Sequence, residues 1–300
     1  MNEISVCTGR KLSLEGAVRI GTGAMSDVYQ INEEDVVKVL KTYDFEDAAR
    51  EIRLSKWAFV QGIPTAISYD VADVDGHPGL VYESLGRSNL RKEFLDHPDD
   101  FDAVLDRYIA FVKKINSTDA GDEELPSARV EYLERLEAVK QYLSAEDYEK
   151  MKALLTGLPE CSTLVHRDCH IKNIKVKNGE LFLIDLDTLS TGSPIFELMA
   201  LDNSYSGFPF AQGLKEGFEP FFQVPLKLLT DILSEFYRRY FEGLPEADLQ
   251  ENIRKIRVLA YFQMLVYAWI DTMGGTYDID ALTAVFRENL HSVEDLILKF

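Results

Sequence analysis

The chain has 300 residues, 46% of them hydrophobic and 11% aromatic, so it is long enough to bury a core and too apolar for wholesale disorder. Its formal net charge of -19 disfavours nucleic acid and anionic membrane as partners, since both need a basic surface, and mildly favours a cationic small substrate. Cys7, Cys161 and Cys169 make no disulfide framework, residues 1–16 show no signal-peptide pattern, and the longest apolar run, Val258 to Ile270, is interrupted by Gln263 and too short to span a bilayer, so a soluble cytoplasmic protein is expected.

Residues 17–40 read as strands. Val18, Ile20, Val28, Tyr29 and Ile31 flank Gly21-Thr22-Gly23-Ala24-Met25-Ser26, and residues 36–40 are an apolar run holding one basic residue, Lys38. The turn fits G-x-G-x-x-G-x-V with Ser26 in place of the third glycine. Glycines there let backbone N–H groups approach a phosphate chain, although a glycine-rich hairpin is also simply a hairpin. A position between two strands argues against a Rossmann or Walker loop and toward a lid of the kinase type. A lysine flanked by valines either snorkels out or meets an anion. Residues 44–61 carry Phe45, Ala48, Ile52, Ser55 and Phe59 at helical spacing; Glu51 within this helix is a candidate partner for Lys38, with Glu46 as a rival.

Gly62-Ile63-Pro64 ends that helix, and residues 67–74 and 79–83 read as strands around Asp75-Gly76-His77-Pro78. The apolar segment 80–85 breaks at Gly86, the natural linker between two lobes. From residue 88 the pattern is helical, with a stripe of Phe101, Val104, Leu105, Tyr108, Val112 and Ile115. After the acidic loop 118–126 come helices over 130–143 and 145–155, the second opened by Ser144 and Asp147 as a capping box and stopped by Gly157 and Pro159. A Gly- and Phe-rich stretch over 192–220 precedes helices near 225–242, 246–273 and 280–298. The expected fold class is α+β, with a small β-rich lobe over residues 1–85 and a larger helical lobe over 86–300, an arrangement whose cleft suits a ligand.

The chemistry concentrates at residues 164–187. His166-Arg167-Asp168 is followed by Asn173, and the apolar run 181–184 ends in Asp185. Both places put hard oxygen ligands at the edge of a buried element, as a divalent metal and a phosphate chain require. Phosphoryl transfer gives every feature a use: Asp168 orients or deprotonates a hydroxyl, Asn173 and Asp185 hold Mg²⁺, Lys38 held by Glu51 binds phosphates, and the turn with Gly21, Gly23 and Ser26 covers them. Cys161, His166, Cys169 and His170 also invite zinc, but they lack a C-x-x-C or H-x-x-x-H pair.

Residues 166–173 match the kinase catalytic-loop pattern H-R-D-L-x-x-x-N except for Cys169. His170, the motif Ile184-Asp185-Leu186-Asp187 and the segment Gly192-Ser193-Pro194-Ile195-Phe196-Glu197-Leu198, which is similar to Gly-Asp-Pro-x-x-Asp-Leu, resemble the aminoglycoside phosphotransferase and choline kinase superfamily more than protein kinases. Arg50-Glu51 followed by Gly62-Ile63-Pro64 resembles it too, and the likeness spans residues 17–200. It implies the two-lobed protein-kinase-like fold and an ATP- and Mg²⁺-dependent phosphotransferase, with GTP as the alternative donor. By the same resemblance Asp168 is the catalytic base, Asn173 and Asp185 are metal ligands with Asp187 a further contact, Lys38 and Glu51 position the nucleotide, and Glu83 and Leu85 form the adenine hinge through their backbones. The acceptor would be a small hydroxyl compound: an aminoglycoside, a choline-like amino alcohol, a sugar or a nucleoside. Asp202, Glu216, Glu219, Asp271, Asp278 and Asp280 are candidates to receive an ammonium, with Tyr205, Phe208, Tyr267 and Trp269 for cation–π contact. Arg167, where small-molecule kinases usually have glycine, is the protein-kinase choice; a protein kinase and a nucleotide-binding pseudokinase are the alternatives. Asp-Phe-Gly and Ala-Pro-Glu are both missing, which argues against a phospho-regulated activation loop.

Overall fold

The computed structural model describes residues 8–23, 25–211, 218–219, 221–270 and 277–300. Two compact units emerge: Met1–Leu90 with Asn173–Asp187, and Arg91–Lys172 with Thr188–Phe300.

In the first unit the apolar alternation read from the sequence becomes one six-stranded sheet. Its strands are β1 (Thr8–Lys11), β2 (Val18–Thr22), β3 (Ser26–Gln30), β4 (Asp35–Leu40), β5 (Ser68–Val74) and β6 (His77–Glu83), in the order β1-β5-β6-β4-β3-β2. Only β1 and β5 run parallel. Helix α1 (Phe45–Val60) starts at Asp44, whose carboxylate accepts from Glu46 and Asp47 N–H while Asp47 returns the bond as a capping box. Ala48 and Ile52 of α1 pack on Leu40, Val71 and Leu80, whereas Val37, Ala72, Val74 and Val81 form the core on the other side. Because side chains alternate along a strand, Lys38 shares Leu40's face and points toward α1. Later in the chain, residues 174–177 and 180–183 pair as a hairpin. Its turn is Asn178-Gly179, both at positive φ (55° and 80°), as a two-residue turn of type I′ demands. Leu183 N–H donates to Pro64 O at 2.8 Å and Val176 N–H to Ser88 O at 3.1 Å, which fixes the hairpin in this unit.

The second unit is helical: α2 (Leu90–Asp96, its first residue grouped with the sheet), α3 (Phe101–Ser117), α4 (Ala128–Val139), α5 (Ala145–Thr156), α6 (Ile195–Asp202), a π-helical turn (Asn203–Gly207), α7 (Phe208–Ala211), α8 (Leu226–Tyr240), α9 (Glu246–Ile270) and α10 (Ile279–Leu290). The α3 stripe is buried as patterned, Phe101 only in part. Ser144 caps α5 by accepting from Asp147 N–H at 3.1 Å. The Asp147 carboxylate accepts from the Ser144 hydroxyl and from Arg287, both at 2.7 Å, and pairs with His291 at 2.8 Å, which ties α5 to the end of α10. The last helix stops at Leu290 and does not run to residue 298. Beyond it Val293, Leu296 and Leu298 are buried in non-helical chain, and Asn252 of α9 exchanges two hydrogen bonds with the Lys299 backbone, 2.9 and 3.0 Å. That pairing satisfies backbone groups that a helix would have bonded internally. The expected end of α9, residues 271–273, lies outside the described residues, as do Cys7 and Ala24. Among the described residues no helix is long and apolar enough to cross a membrane.

Candidate active site

Lys38 is the centre of the polar face in the first unit. Its Nζ donates to Glu51 Oε1 at 2.9 Å and to Asp185 Oδ1 at 2.8 Å, while Tyr82 OH donates to Glu51 at 3.2 Å. Glu51, and not Glu46, is therefore the partner α1 supplies. Lys38 and Glu51 have side chains only 13% and 9% exposed. Burial opposes the Lys38 ammonium, but Asp185, Glu51 and Asp187 outweigh it and raise its pKa, so the lysine stays charged. Burial pushes the Glu51 carboxyl up, against the pull of Lys38, and holds the Tyr82 phenol well above its ordinary value.

The glycine-rich turn closes β2 onto β3 through Gly23 N–H to Ser26 O at 2.8 Å, and Lys41 Nζ donates to Gly23 O at 2.9 Å. Neither Gly21 nor Gly23 has a positive φ, and a Cβ on either would meet nothing closer than 3.5 Å. The hairpin itself does not require glycine there, so the residue choice points to something that approaches from outside. At the other end of the face, the Glu83 side chain accepts from Ile67 N–H at 3.0 Å and from Lys177 Nζ at 3.2 Å, and Glu83 N–H donates to Ile67 O. Leu85 is buried, and its backbone makes no hydrogen bond among the described residues.

Asn173 opens the hairpin, buried, with its carbonyl accepting from Ile184 N–H at 3.1 Å. Asp185 follows the hairpin at φ 60°, and its side chain is 39% exposed. Asp187 is exposed and borders a cavity with Leu40, Tyr43, Asp47, Arg50, Glu51 and Leu54. An amide oxygen and carboxylates suit a hard divalent cation such as Mg²⁺, so this donor set fits the metal the sequence implied. Among the described residues no three His, Cys, Asp or Glu side chains form a metal-holding group.

Residues 166–172, which match the catalytic-loop pattern, belong to the second unit and are held mainly by their backbone. Glu197 of α6, with no exposed surface, accepts from the N–H groups of both His166 and Arg167, at 3.2 Å to the latter. Tyr108 OH donates to Cys169 O at 2.7 Å and lies 2.9 Å from Tyr205 OH, which accepts from Ile171 N–H at 2.9 Å. Asp168 is left 42% exposed, with His170 Nε2 at 3.4 Å. The His170 ring is buried edge-on against Phe221 and Phe222. Cys169 is fully buried and burial pushes its thiol up. Arg167 has φ 65°, a left-handed backbone where glycine is cheapest. Its guanidinium donates to Glu131 of α4 at 2.7 Å and to Thr188 O at 3.1 and 3.3 Å. Glu131 is shared with Arg135, which also donates to Gln263 of α9.

Sequence reasoning missed Glu197, Tyr108 and Glu131. Glu197 sits in the Gly192–Leu198 segment that carried the resemblance, and Tyr108 is the one polar-tipped residue in the α3 stripe; Glu131 gave no signal. Two candidate acceptor contacts are corrected. Tyr205 is buried and spends its hydroxyl on the loop, so it is no cation–π wall. Asp202 is fully buried, accepts from Tyr237 OH at 2.9 Å and faces Arg257 at 3.7 Å. Asp278 caps α10 through Ala281 N–H, and Asp280 is exposed in its first turn. Phe208 stacks on Tyr267 and Tyr142 on Trp269. Glu216 and Asp271, and the side chain of Glu219, lie outside the described residues.

A family model described as "Phosphotransferase enzyme family" matches residues 16–221. Among solved structures, aminoglycoside phosphotransferase APH(4)-Ia, as a ternary complex with ADP and hygromycin B, is similar with a TM-score of 0.64 at 13% identity, covering 92% of this chain and 93% of that one. ADP-bound APH(2'')-Ib gives 0.54 at 15%, covering 94% of each chain. The streptomycin–ATP complex of APH(2'')-IIa gives 0.53 at 17%, covering 93% of this chain and 92% of that one. At such identities the likeness establishes the fold alone. No curated protein matches the chain at a significant level.

Proposed function

The chain belongs to the phosphotransferase enzyme family, and we propose that it transfers the γ-phosphate of ATP, with Mg²⁺, to a hydroxyl of a small molecule. The observation that carries this reading is Lys38 held between Glu51 and Asp185, a charged lysine fixed beside the residues proposed as metal ligands. Lys38 positions the phosphates, and Glu51 keeps it from collapsing wholly onto Asp185. Asn173, Asp185 and Asp187 would hold Mg²⁺, which when bound offsets the charge of the transferred group. Gly21, Gly23 and Ser26 present backbone to the phosphates, and the backbones of Glu83 and Leu85 receive the purine. Asp168 accepts a hydrogen bond from the acceptor hydroxyl and takes its proton. GTP is the alternative donor, and the structures this fold resembles were solved with ADP and with ATP. We assign residues 1–85 to the glycine-rich turn, Lys38 and the helix carrying Glu51, and 86–300 to the catalytic loop, the metal loop and the acceptor. A small-molecule acceptor fits Arg167 better than a protein one does, because Glu131 and Thr188 already occupy its guanidinium.

The test is ADP release over a panel of hydroxylated metabolites and aminoglycosides, with Asp168→Asn as the control. Acceptor-stimulated release by the wild type alone supports the reading. Release that no acceptor raises above the Asp168→Asn level refutes it.

A further inference from the structure

Residue 167 is where this chain departs from the superfamily it resembles, with arginine in the position of a glycine. The backbone there stands at φ 65°, which a residue with a side chain adopts only at a cost, so the arginine is strained unless its side chain compensates. The guanidinium is 11% exposed and fully engaged. It donates to Glu131 Oε2 of α4 at 2.7 Å and, from Nε and a terminal nitrogen, to Thr188 O at 3.3 and 3.1 Å. The N–H of the same residue donates to the buried Glu197. Residue 167 is thus held by two carboxylates, its side chain by α4 and its backbone by α6. The next residue is Asp168, the proposed base, with a side chain 42% exposed.

Glu131 is itself fixed in place. Its Oε1 accepts from Arg135, one turn later on α4, so its two oxygens serve two guanidiniums. Arg135 also donates to Gln263 Oε1 of α9 and lies 5.3 Å over the ring of Tyr132. That buried ring packs on Phe196 of α6 at 5.2 Å and on Phe262 of α9 at 6.3 Å. Burial works against the Glu131 carboxylate, but Arg167 and Arg135 prevail and lower its pKa, so it stays charged. A phosphate placed opposite an arginine orders a loop through the same charge-assisted bonds, but it has to be added to the chain. Glu131 supplies its charge at all times.

We propose that Glu131 is a positioning residue for Asp168 and acts through Arg167. It fixes the Arg167 side chain, which holds the left-handed backbone that leads into Asp168, so the loop keeps its working geometry with no covalent modification. This rests on the phosphotransferase reading and adds to it the residue that keeps the base in register. With the Glu131 charge removed, the largely buried Arg167 loses the carboxylate that offsets its own charge, and two guanidiniums converge on a neutral group. The strained backbone at residue 167 then relaxes, and Asp168 moves with it.

The experiment measures ADP release from Mg-ATP with water alone and with glycerol, choline, ribose, adenosine and kanamycin as acceptors. With the acceptor the wild type uses best, Glu131→Gln, which keeps the volume and removes the charge, should lower kcat about tenfold and leave the donor KM within about twofold. Glu131→Asp, which keeps the charge, should lie between. The deciding variant combines Arg167→Gly with Glu131→Gln. Glycine adopts φ 65° without strain, so with glycine at residue 167 the change at Glu131 should alter kcat by less than about twofold. A merely structural role for Glu131 gives the same loss in both backgrounds. Should Glu131→Gln fail to fold, Arg167→Lys tests the contact from the other side. An ammonium keeps the charge but cannot serve Glu131 and Thr188 as a fork, so kcat should fall at least about threefold. An unmoved kcat in Glu131→Gln, an equal loss in both backgrounds, or an unmoved kcat in Arg167→Lys where that variant stands in, overturns the inference and leaves the phosphotransferase reading standing. Wild-type release that no acceptor raises above the level with water refutes that reading, and the inference with it.

Discussion

Replacing Glu197 by Gln isolates the contact that shapes the catalytic loop. Glu197 has no exposed surface, and its carboxylate accepts from the N–H groups of His166 and Arg167. Hydrogen bonds to a charged acceptor contribute about 1.5–3 kcal/mol each. Glutamine keeps one oxygen for one N–H and turns its NH₂ toward the other, so one bond becomes a donor–donor contact in a buried site. The expected cost is about 2–3 kcal/mol, or roughly 5–10 °C in Tm for a chain of this size. The same two N–H groups immediately precede Asp168, so their release shifts the proposed base. A misplacement of about 1 Å costs on the order of a hundredfold in rate. Urea denaturation and steady-state kinetics read both effects, and kcat should fall more than the donor KM changes. Glu197→Asp, which is the residue in the resembled motif, keeps the charge one methylene short and should lie between. A Glu197→Gln protein within about 0.5 kcal/mol of wild type and within twofold in kcat refutes the assignment.

Arg167→Gly removes a non-glycine residue from φ 65°, a relief of about 1 kcal/mol, and also removes the link to Glu131 and Thr188. The two effects oppose, so urea denaturation should place the variant within about 1 kcal/mol of wild type; a loss above about 3 kcal/mol would show that the ion pair dominates. Asp147→Asn probes α5 against α10. Burial works against the Asp147 carboxylate, but hydrogen bonds from His291, Ser144 and Arg287 prevail and hold its pKa below the ordinary 3.8. A carboxyl depressed on folding stabilises above its unfolded pKa and loses that contribution as pH falls through the folded value. The Tm gap between wild type and Asp147→Asn should therefore be full at pH 7 and close below about pH 4. In Gly79→Ala the new Cβ would stand 2.7 Å from Val74 Cγ2 and 2.8 Å from Val37 Cγ2, both in buried valines. Overpacking of that kind costs about 1–3 kcal/mol, measurable by thermal denaturation.

What could be read from the residues was whatever local pattern controls. Period-two alternation placed β2 to β6, and helical spacing placed α1, α3 and the start of α9. Lys38 was legible because a lone charge in an apolar strand must have a partner, and strand alternation then selects the α1 face on which Glu51 lies. The hairpin at 174–183 escaped, although Asn178-Gly179 is the strongest two-residue turn signal in the chain. The run to residue 298 looked helical because Val293, Leu296 and Leu298 are apolar at spacings that also suit extended chain packed along α9. Which face such a segment uses depends on Asn252, 47 positions from Lys299, and no local pattern encodes that. The same limit hid Glu131 and Glu197, whose partners lie 36 and 31 positions away. It also made Tyr205 look like a binding-site aromatic when its hydroxyl belongs to the loop.

The polar cluster around Lys38 is unbalanced, and the imbalance supports the proposed metal. In the first unit Lys38 faces Glu51, Asp185 and the field of Asp187, one positive charge against three negative. The excess negative charge is what the proposed Mg²⁺ would offset, and oxygen donors at Asp185 and Asn173 suit a hard cation. In the second unit Arg135 and Arg167 share Glu131, and the buried Glu197 adds a second carboxylate at the Arg167 N–H, so two guanidiniums stand against two carboxylates and that cluster calls for no further ion.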